Sequence, residues 1–169
     1  MAPEIIQALL GRRPKTWQHA KLHGYIRYPV KQQVYPGLLK QLAYNDDDAT
    51  SAAATTTLGV LYQDITESEM KILDWYEDEA YTRIDVDVRV QFCNTDTSTA
   101  TDDDDIKGPI SDDCSTTTIA SQTYLWTNPT SELDLSRGEW SYRHFLDNDF
   151  DHYYHTIVQP CVEELHRQR

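Results

Sequence analysis

Positive charge is scarce in this sequence. Fifteen Lys and Arg stand against 28 Asp and Glu, for a formal net charge of −13 over 169 residues. Nucleic acids and anionic membrane surfaces are held by clustered Lys and Arg, so both are excluded as expected partners. Cysteine is equally sparse. Cys93, Cys114 and Cys161 are odd in number and follow no metal-ligand spacing, which points to reduced thiols rather than a disulfide framework or a zinc site. No apolar run approaches the ~18 residues of a membrane span. No basic stretch followed by an apolar one marks a signal peptide, so a cytoplasmic location is expected. Only six glycines are present, and none follows a tyrosine.

The length is that of one domain, large enough to bury about 70% of its unfolded surface. The richest stretch runs from Asp64 to Phe92. Thr66 and Glu69 have the spacing of a capping box, and Ile65 with Met70 that of a hydrophobic staple, so a helix is predicted to start at Thr66. Met70, Ile72, Leu73 and Tyr76 share one arc of that helix, and Glu77 falls inside the arc. After Ala80 the period changes to two. Ile84, Val86, Val88, Val90 and Phe92 alternate with Arg83, Asp85, Asp87, Arg89 and Gln91, the pattern of an antiparallel strand with one wet face. Glu77 is thereby placed at a helix-to-strand corner.

Elsewhere, residues 3–10 read as a helix with Pro3 at its first position and Gly11 just past its end. Residues 20–35 read as two strands, with Pro29 breaking or edging the first. Tyr35-Pro36-Gly37 reads as a turn with Pro at i+1 and Gly at i+2. Residues 45–57 and 94–118 are low-complexity and read as insertions, the first within a hairpin. The run Asp102 to Asp105 lacks the alternation and tight-turn glycine of a calcium loop. Residues 58–62 and 119–126 read as strands, a helix is expected around 138–146, and a last helix spans 149–166, kinked or restarted at Pro160. In that last helix Ile157, Cys161 and Leu165 form a stripe flanked by Val158 and Val162. His152 and His155 with Asp149 and Asp151 fall short of a zinc ligand set, so no metal is expected. No cysteine carries a local nucleophile signature.

The segment Leu73-Asp74-Trp75-Tyr76-Glu77-Asp78-Glu79-Ala80-Tyr81-Thr82-Arg83 resembles the Leu-Asp-x-aromatic-Glu-x-x-x-Tyr-x-Arg signature of the gamma-glutamylcyclotransferase-like superfamily. The branch it is most similar to is the plant and fungal one named for avirulence-induced genes. Every specified position of the signature agrees at fixed spacing. Tyr35-Pro36-Gly37 also resembles a family segment bordering the pocket, Tyr124-Leu125-Trp126 the family's Tyr-x-aromatic strand end, and Trp140 to Phe145 its C-terminal helix. The resemblance runs from about Pro3 to Tyr154.

It implies an α+β fold, a mixed, bent sheet or small barrel of about five to seven strands with packed helices. It also implies release of 5-oxoproline and an amine from a small-molecule gamma-glutamyl substrate, with no cofactor. By resemblance Glu77 is the general base, and Tyr81, Tyr35, Gly37 and Tyr124 are substrate-binding residues. A carboxylate in an apolar setting has the raised pKa such a base needs. From the residues alone, Glu77 to Glu79 read as solvated corner charges, Tyr81 as a strand aromatic, and Gly37 as a turn residue. The family's opening strand, ending in a substrate-cradling Tyr-Gly-Ser/Thr-Leu turn, has no counterpart here. The expectation is a truncated chain or a lost element. The alternative function is therefore a catalytically inactive binding protein on the same scaffold. Without that strand, a sheet edge is expected to be exposed and to favour a homodimer.

Overall fold

The computed structural model describes residues 1–41, 55–93 and 114–167. Six strands build two antiparallel sheets. In chain order the elements are α1 (Pro3–Leu10), β1 (Trp17–His23), β2 (Tyr25–Pro29), β3 (Pro36–Lys40), β4 (Thr56–Tyr62), α2 (Glu67–Glu77), β5 (Tyr81–Cys93) and β6 (Cys114–Trp126). A helical C-terminal region follows: α3 (Tyr142–Asn148), α4 (Phe150–Tyr153), a π-helical turn (Tyr154–Val158) and α5 (Gln159–Arg167). The larger sheet has the order β4-β1-β5-β6, and β2 pairs with β3 beside it. Every pairing among these strands is antiparallel and the sheet stays open. The fold is α+β, an open bent sheet with helices packed on it.

Local signals account for the helix ends. Pro3 starts α1, and Gly11 closes it in the left-handed region at φ 71°, with its N–H bonded to the Gln7 carbonyl. Such a cap favours glycine, which has no Cβ to clash there. Thr66 caps α2 as a reciprocal box with Glu69. Arg12, one residue past α1, clamps the same Glu69 through bonds of 2.6 and 2.7 Å and reaches Asp64 at 3.0 Å. That guanidinium and the Thr66 backbone hold the Glu69 carboxyl down at about 2.

One core cluster joins α1 to α2 and the C-terminal helices: Ile5, Ile6, Leu9 and Leu10 pack with Leu73 and Val158. A second lies under the sheet, where Ala20, Leu22, Val88 and Val90 meet Tyr25 and Leu38. The alternation of β5 holds, with Val88 and Val90 buried and Asp85, Asp87 and Gln91 exposed.

Several expectations are corrected. Tyr35-Pro36-Gly37 is not a turn. Pro36 and Gly37 are the first residues of β3, opposite Pro29 and Tyr28, and the turn lies earlier, where Gln32 takes φ 63°. A two-stranded sheet is all edge, so prolines fit at its paired ends. Residues 42–54, which hold most of the first low-complexity segment, lie outside the described residues; the strands on either side, β3 and β4, pair with β2 and β1 and not with each other. Strand β4 already includes Thr56 and Thr57, and β6 begins at Cys114 rather than at 119. The rest of the second low-complexity segment, 94–113, with its aspartate run, lies outside the described residues. Gly138 precedes α3 rather than opening it.

Near Pro160 the last helix changes its winding, and α5 begins at Gln159, one residue before the proline. The π-turn ahead of it, in which the Gln159 N–H bonds to the Tyr154 carbonyl, widens the backbone where the proline ring would clash with the preceding turn. That extra residue rotates the apolar stripe. Val158 is fully buried and Ile157 is 42% exposed, so the expected stripe through Ile157 starts one residue later.

Candidate active site around Glu77

The end of α2 and the start of β5 form the corner the sequence predicts. Asp78 breaks the helix at φ 60°, an uncommon conformation for a non-glycine residue. Its carboxylate accepts the Glu79 N–H at 2.6 Å, and Thr127 fastens the corner to the end of β6 through the Ala80 and Glu79 carbonyls. Glu77 is thereby turned inward. Burial pushes its carboxyl up to about 7, and the α-amino group of Met1 acts in the opposite sense. That amine is enclosed even though the Met1 side chain is 44% exposed. Its own pKa is lowered by burial, supported upward by Glu77 and lowered further by Arg27.

A ring of tyrosines surrounds the carboxyl. Tyr76 and Tyr153 share a hydroxyl–hydroxyl bond of 2.7 Å. Tyr81 donates to the Pro36 carbonyl at 2.8 Å and sets its ring edge-on to Trp126. Tyr124 donates to Asp74 at 2.8 Å, and the same carboxylate oxygen receives Arg83 Nε at 3.1 Å. Tyr35 packs edge-on to Tyr153. Burial raises the pKa of Tyr76, Tyr81, Tyr124 and Tyr153, and the Glu77 charge adds to each shift. The opposing charge that acts on the Glu77 carboxylate is the Met1 amino group, and burial outweighs it. A carboxylate that burial holds near 7 is poised to exchange a proton near neutral pH.

Comparison with known proteins follows from this geometry. The model of the family described as gamma-glutamyl cyclotransferase, AIG2-like, matches residues 1–142. The chain belongs to that family. It is similar to AIG2-like protein C of Arabidopsis thaliana, 30% identical over 87% of this chain and 64% of that protein. It is also similar to AIG2-like protein D of the same plant, 31% identical over 52% of this chain and 50% of that protein. The chain thus spans about half to two thirds of the length of these curated relatives. Two Arabidopsis thaliana solution structures share the fold. One has a TM-score of 0.53 at 17% identity, covering 94% of this chain and 74% of that one; the other has 0.50 at 20%, covering 92% and 80%.

The AIG2-like signature now has a residue-by-residue account. Leu73 anchors α2 in the core. Asp74 receives Tyr124 and Arg83. Tyr76 meets Tyr153. Glu77 occupies the centre, and Tyr81 ties β5 to β3. Of the residues singled out from sequence, Glu77, Tyr81, Tyr124 and Tyr35 come together. Gly37 lies where β3 meets the end of β6. A Cβ there would lie 2.8 Å from Leu133 Cδ2 and 2.9 Å from Trp126, so its lack of a side chain lets β3 close on β6. His152 and His155 are exposed, and no group of three or more metal-ligating side chains occurs among the described residues.

Tyr153 was missed. It lies 76 residues beyond Glu77 and beyond the stretch the AIG2-like family model matches. Only the packing of the C-terminal helices on α2 brings it in. Two surface concavities lie away from the site. One, of about 400 Å³, is lined by Glu4, Gln7, Phe150 and Tyr154. The other, of about 600 Å³ on the sheet, is lined by His23, Lys40, Asp87 and Arg89. No helix among the described residues is long and apolar enough to cross a membrane.

Proposed function

We propose that the chain is a gamma-glutamylcyclotransferase-like enzyme that cyclises a small gamma-glutamyl substrate to 5-oxoproline and an amine, with Glu77 as the base. The observation that carries this reading is the enclosed Glu77 carboxyl, pushed up to about 7 by burial. The family supports the same chemistry.

The substrate's α-ammonium must lose a proton before it can attack. Glu77 takes that proton. The neutral amine then forms a bond to the γ-carbonyl carbon, and the carbonyl π pair moves onto oxygen. Collapse of this oxyanion breaks the bond to the departing nitrogen, which collects a proton from the Glu77 carboxylic acid. The attacking nitrogen sheds two protons on becoming a lactam N–H, and the departing amine gains two on becoming an ammonium ion, so the step balances without water or an oxidant. Tyr81, Tyr124 and Tyr35 wall the site. Arg27 supplies a cation for the substrate's carboxylate. It acts on the same Met1 amine as Glu77, and its buried Nε has no hydrogen-bond partner.

The test is 5-oxoproline release from a panel of gamma-glutamyl amines and peptides, by the native chain and by Glu77→Gln. The expected loss in the variant is about 10²–10⁴-fold, the worth of a positioned base. Equal turnover by both proteins would remove Glu77 from the chemistry. No turnover by either across the panel would favour the non-catalytic binding reading.

A further inference from the structure

The larger sheet wears its charges on the inside. Its central strands carry them: Lys21 on β1, and Arg83, Asp85, Asp87 and Arg89 on β5. Its two outermost strands, β4 with seven residues and β6 with thirteen, contain no Asp, Glu, Lys or Arg, although charged residues make up 25% of the chain. Edge strands are ordinarily blunted by charge, proline, bulges or brevity, because an open row of N–H and C=O groups pairs with other chains. β6 has none of these devices. It has no proline or glycine, it keeps an unbroken register with β5 from end to end, and it is β-branched from Thr116 to Ile119.

The register says which backbone groups stand open. Thr127 donates its N–H to the Ala80 carbonyl at 3.0 Å, one step beyond the Tyr81–Trp126 pair. Hydrogen-bonded and non-hydrogen-bonded pairs alternate along an antiparallel ladder. Odd-numbered residues of β6 therefore bond to β5, and Thr116, Thr118, Ala120 and Gln122 turn their N–H and C=O groups away from it. No backbone bond to these groups occurs among the described residues. All four residues are exposed. β3 approaches this edge at its far end, where Gly37 meets Trp126.

We propose that β6 is the contact surface for a second copy of this chain, the two β6 strands pairing antiparallel about a two-fold axis at Ile119. The four-stranded sheets then run on into one continuous sheet. In this register Thr118 faces Ala120 of the second copy and Thr116 faces its Gln122, so every outward-turned group from Thr116 to Gln122 gains a partner. Ile119, packed against the core cluster under the sheet, meets its own copy on the axis. Charge selects this strand. A net charge of −13 repels a second copy at long range, and contact along β6 brings no like charges together on the strand itself. β4 is the lesser edge: it is shorter, and glycine interrupts it at Gly59. The proposal is independent of the reading of Glu77.

The test is sedimentation equilibrium of the native chain over a concentration series at physiological salt, with three variants. Thr118→Pro removes an N–H that β5 does not use, so the monomer keeps its ladder and the dimer loses two bonds by symmetry. Thr118→Lys adds the charge that ordinary edges carry. Leu58→Lys adds the same charge to β4. The expected result is a monomer–dimer equilibrium whose Kd rises at least about 10-fold in both Thr118 variants and is unchanged in Leu58→Lys. Urea midpoints of the variants, measured on dilute monomer, check that each is folded. A native chain that stays monomeric at every concentration would overturn the proposal. So would a dimer that Leu58→Lys dissociates and the Thr118 variants leave intact, since β4 would then be the contact. Assembly that grows beyond the dimer would overturn the two-fold, because joining β4 of one copy to β6 of the next gives an open chain.

Discussion

Replacing Glu77 by glutamine is expected to change how the fold responds to pH, whatever it does to activity. The carboxyl rises from an ordinary value of 4.5 to about 7 on folding because burial opposes its charge. The native state therefore holds a proton that the unfolded chain releases, and stability falls as pH rises between those two values. Below 4.5 both states are protonated and the contribution is fully present. Above about 7 both are ionised and the native state carries the whole cost of a buried charge. A tenfold change in proton affinity is worth about 1.4 kcal/mol, so the full displacement amounts to about 3 kcal/mol. About 2 kcal/mol of this falls between about pH 5.5 and about pH 8.5, a range in which the acidic chain keeps its charge and solubility. The assay is urea denaturation of both proteins across that range, read as the difference in unfolding free energy at each pH. Glutamine keeps the shape and cannot ionise, so the variant should gain on the native protein steadily as pH rises and level off above about 7. Subtraction cancels every other carboxylate, including Glu69, whose depressed value works in the opposite direction. Parallel stability curves would refute the argument, because they would mean that the Glu77 carboxyl is solvated and has no raised pKa to offer a substrate.

Three further substitutions probe the frame around the site. Gly37→Ala should cost about 1–3 kcal/mol in denaturant midpoint, since the added methyl meets Trp126 and Leu133 below contact distance; an unchanged midpoint would show that β3 can shift away from β6. Thr66→Ala removes the capping box at the start of α2 and should cost about 0.5–2 kcal/mol, measured the same way. Tyr81→Phe deletes the hydroxyl bond to the Pro36 carbonyl and should cost about 0.5–1.5 kcal/mol. Retained 5-oxoproline release in that last variant would assign the Tyr81 hydroxyl to holding β5 on β3 rather than to the substrate.

The parts of this molecule legible in the sequence are those set by neighbours in the chain. The caps at Pro3, Gly11 and Thr66 and the alternation from Ile84 to Val90 are all local patterns, and each is realised as expected. Glu77 stood out locally as a carboxylate in the apolar arc of a helix end, but only the family resemblance singled it out as a candidate base. What escaped was decided at long range. Pro36 and Gly37 carry turn chemistry, but Gly37 is needed for its missing side chain, against a tryptophan 89 positions later. Cys114 to Thr118 have the composition of a loop and become strand because β5 offers them a ladder from Arg89 to Cys93. Tyr153 sits among exposed polar neighbours in a helix whose face is reset by a π-turn, and no pattern of fixed period announces such a reset.

That π-turn has a consequence for how the chain tolerates insertion and deletion. It amounts to one surplus residue in an otherwise regular helix. Removing one exposed residue there, such as Thr156, would restore the ordinary winding and leave Cys161, Val162 and Leu165 on the face that packs against the core. Straightening the turn with every residue kept would instead swing all that follows by about 100° about the axis and carry those side chains away from the core. The turn therefore absorbs a change of one residue in length, and a one-residue deletion at 154–158 should be tolerated better than one inside α5.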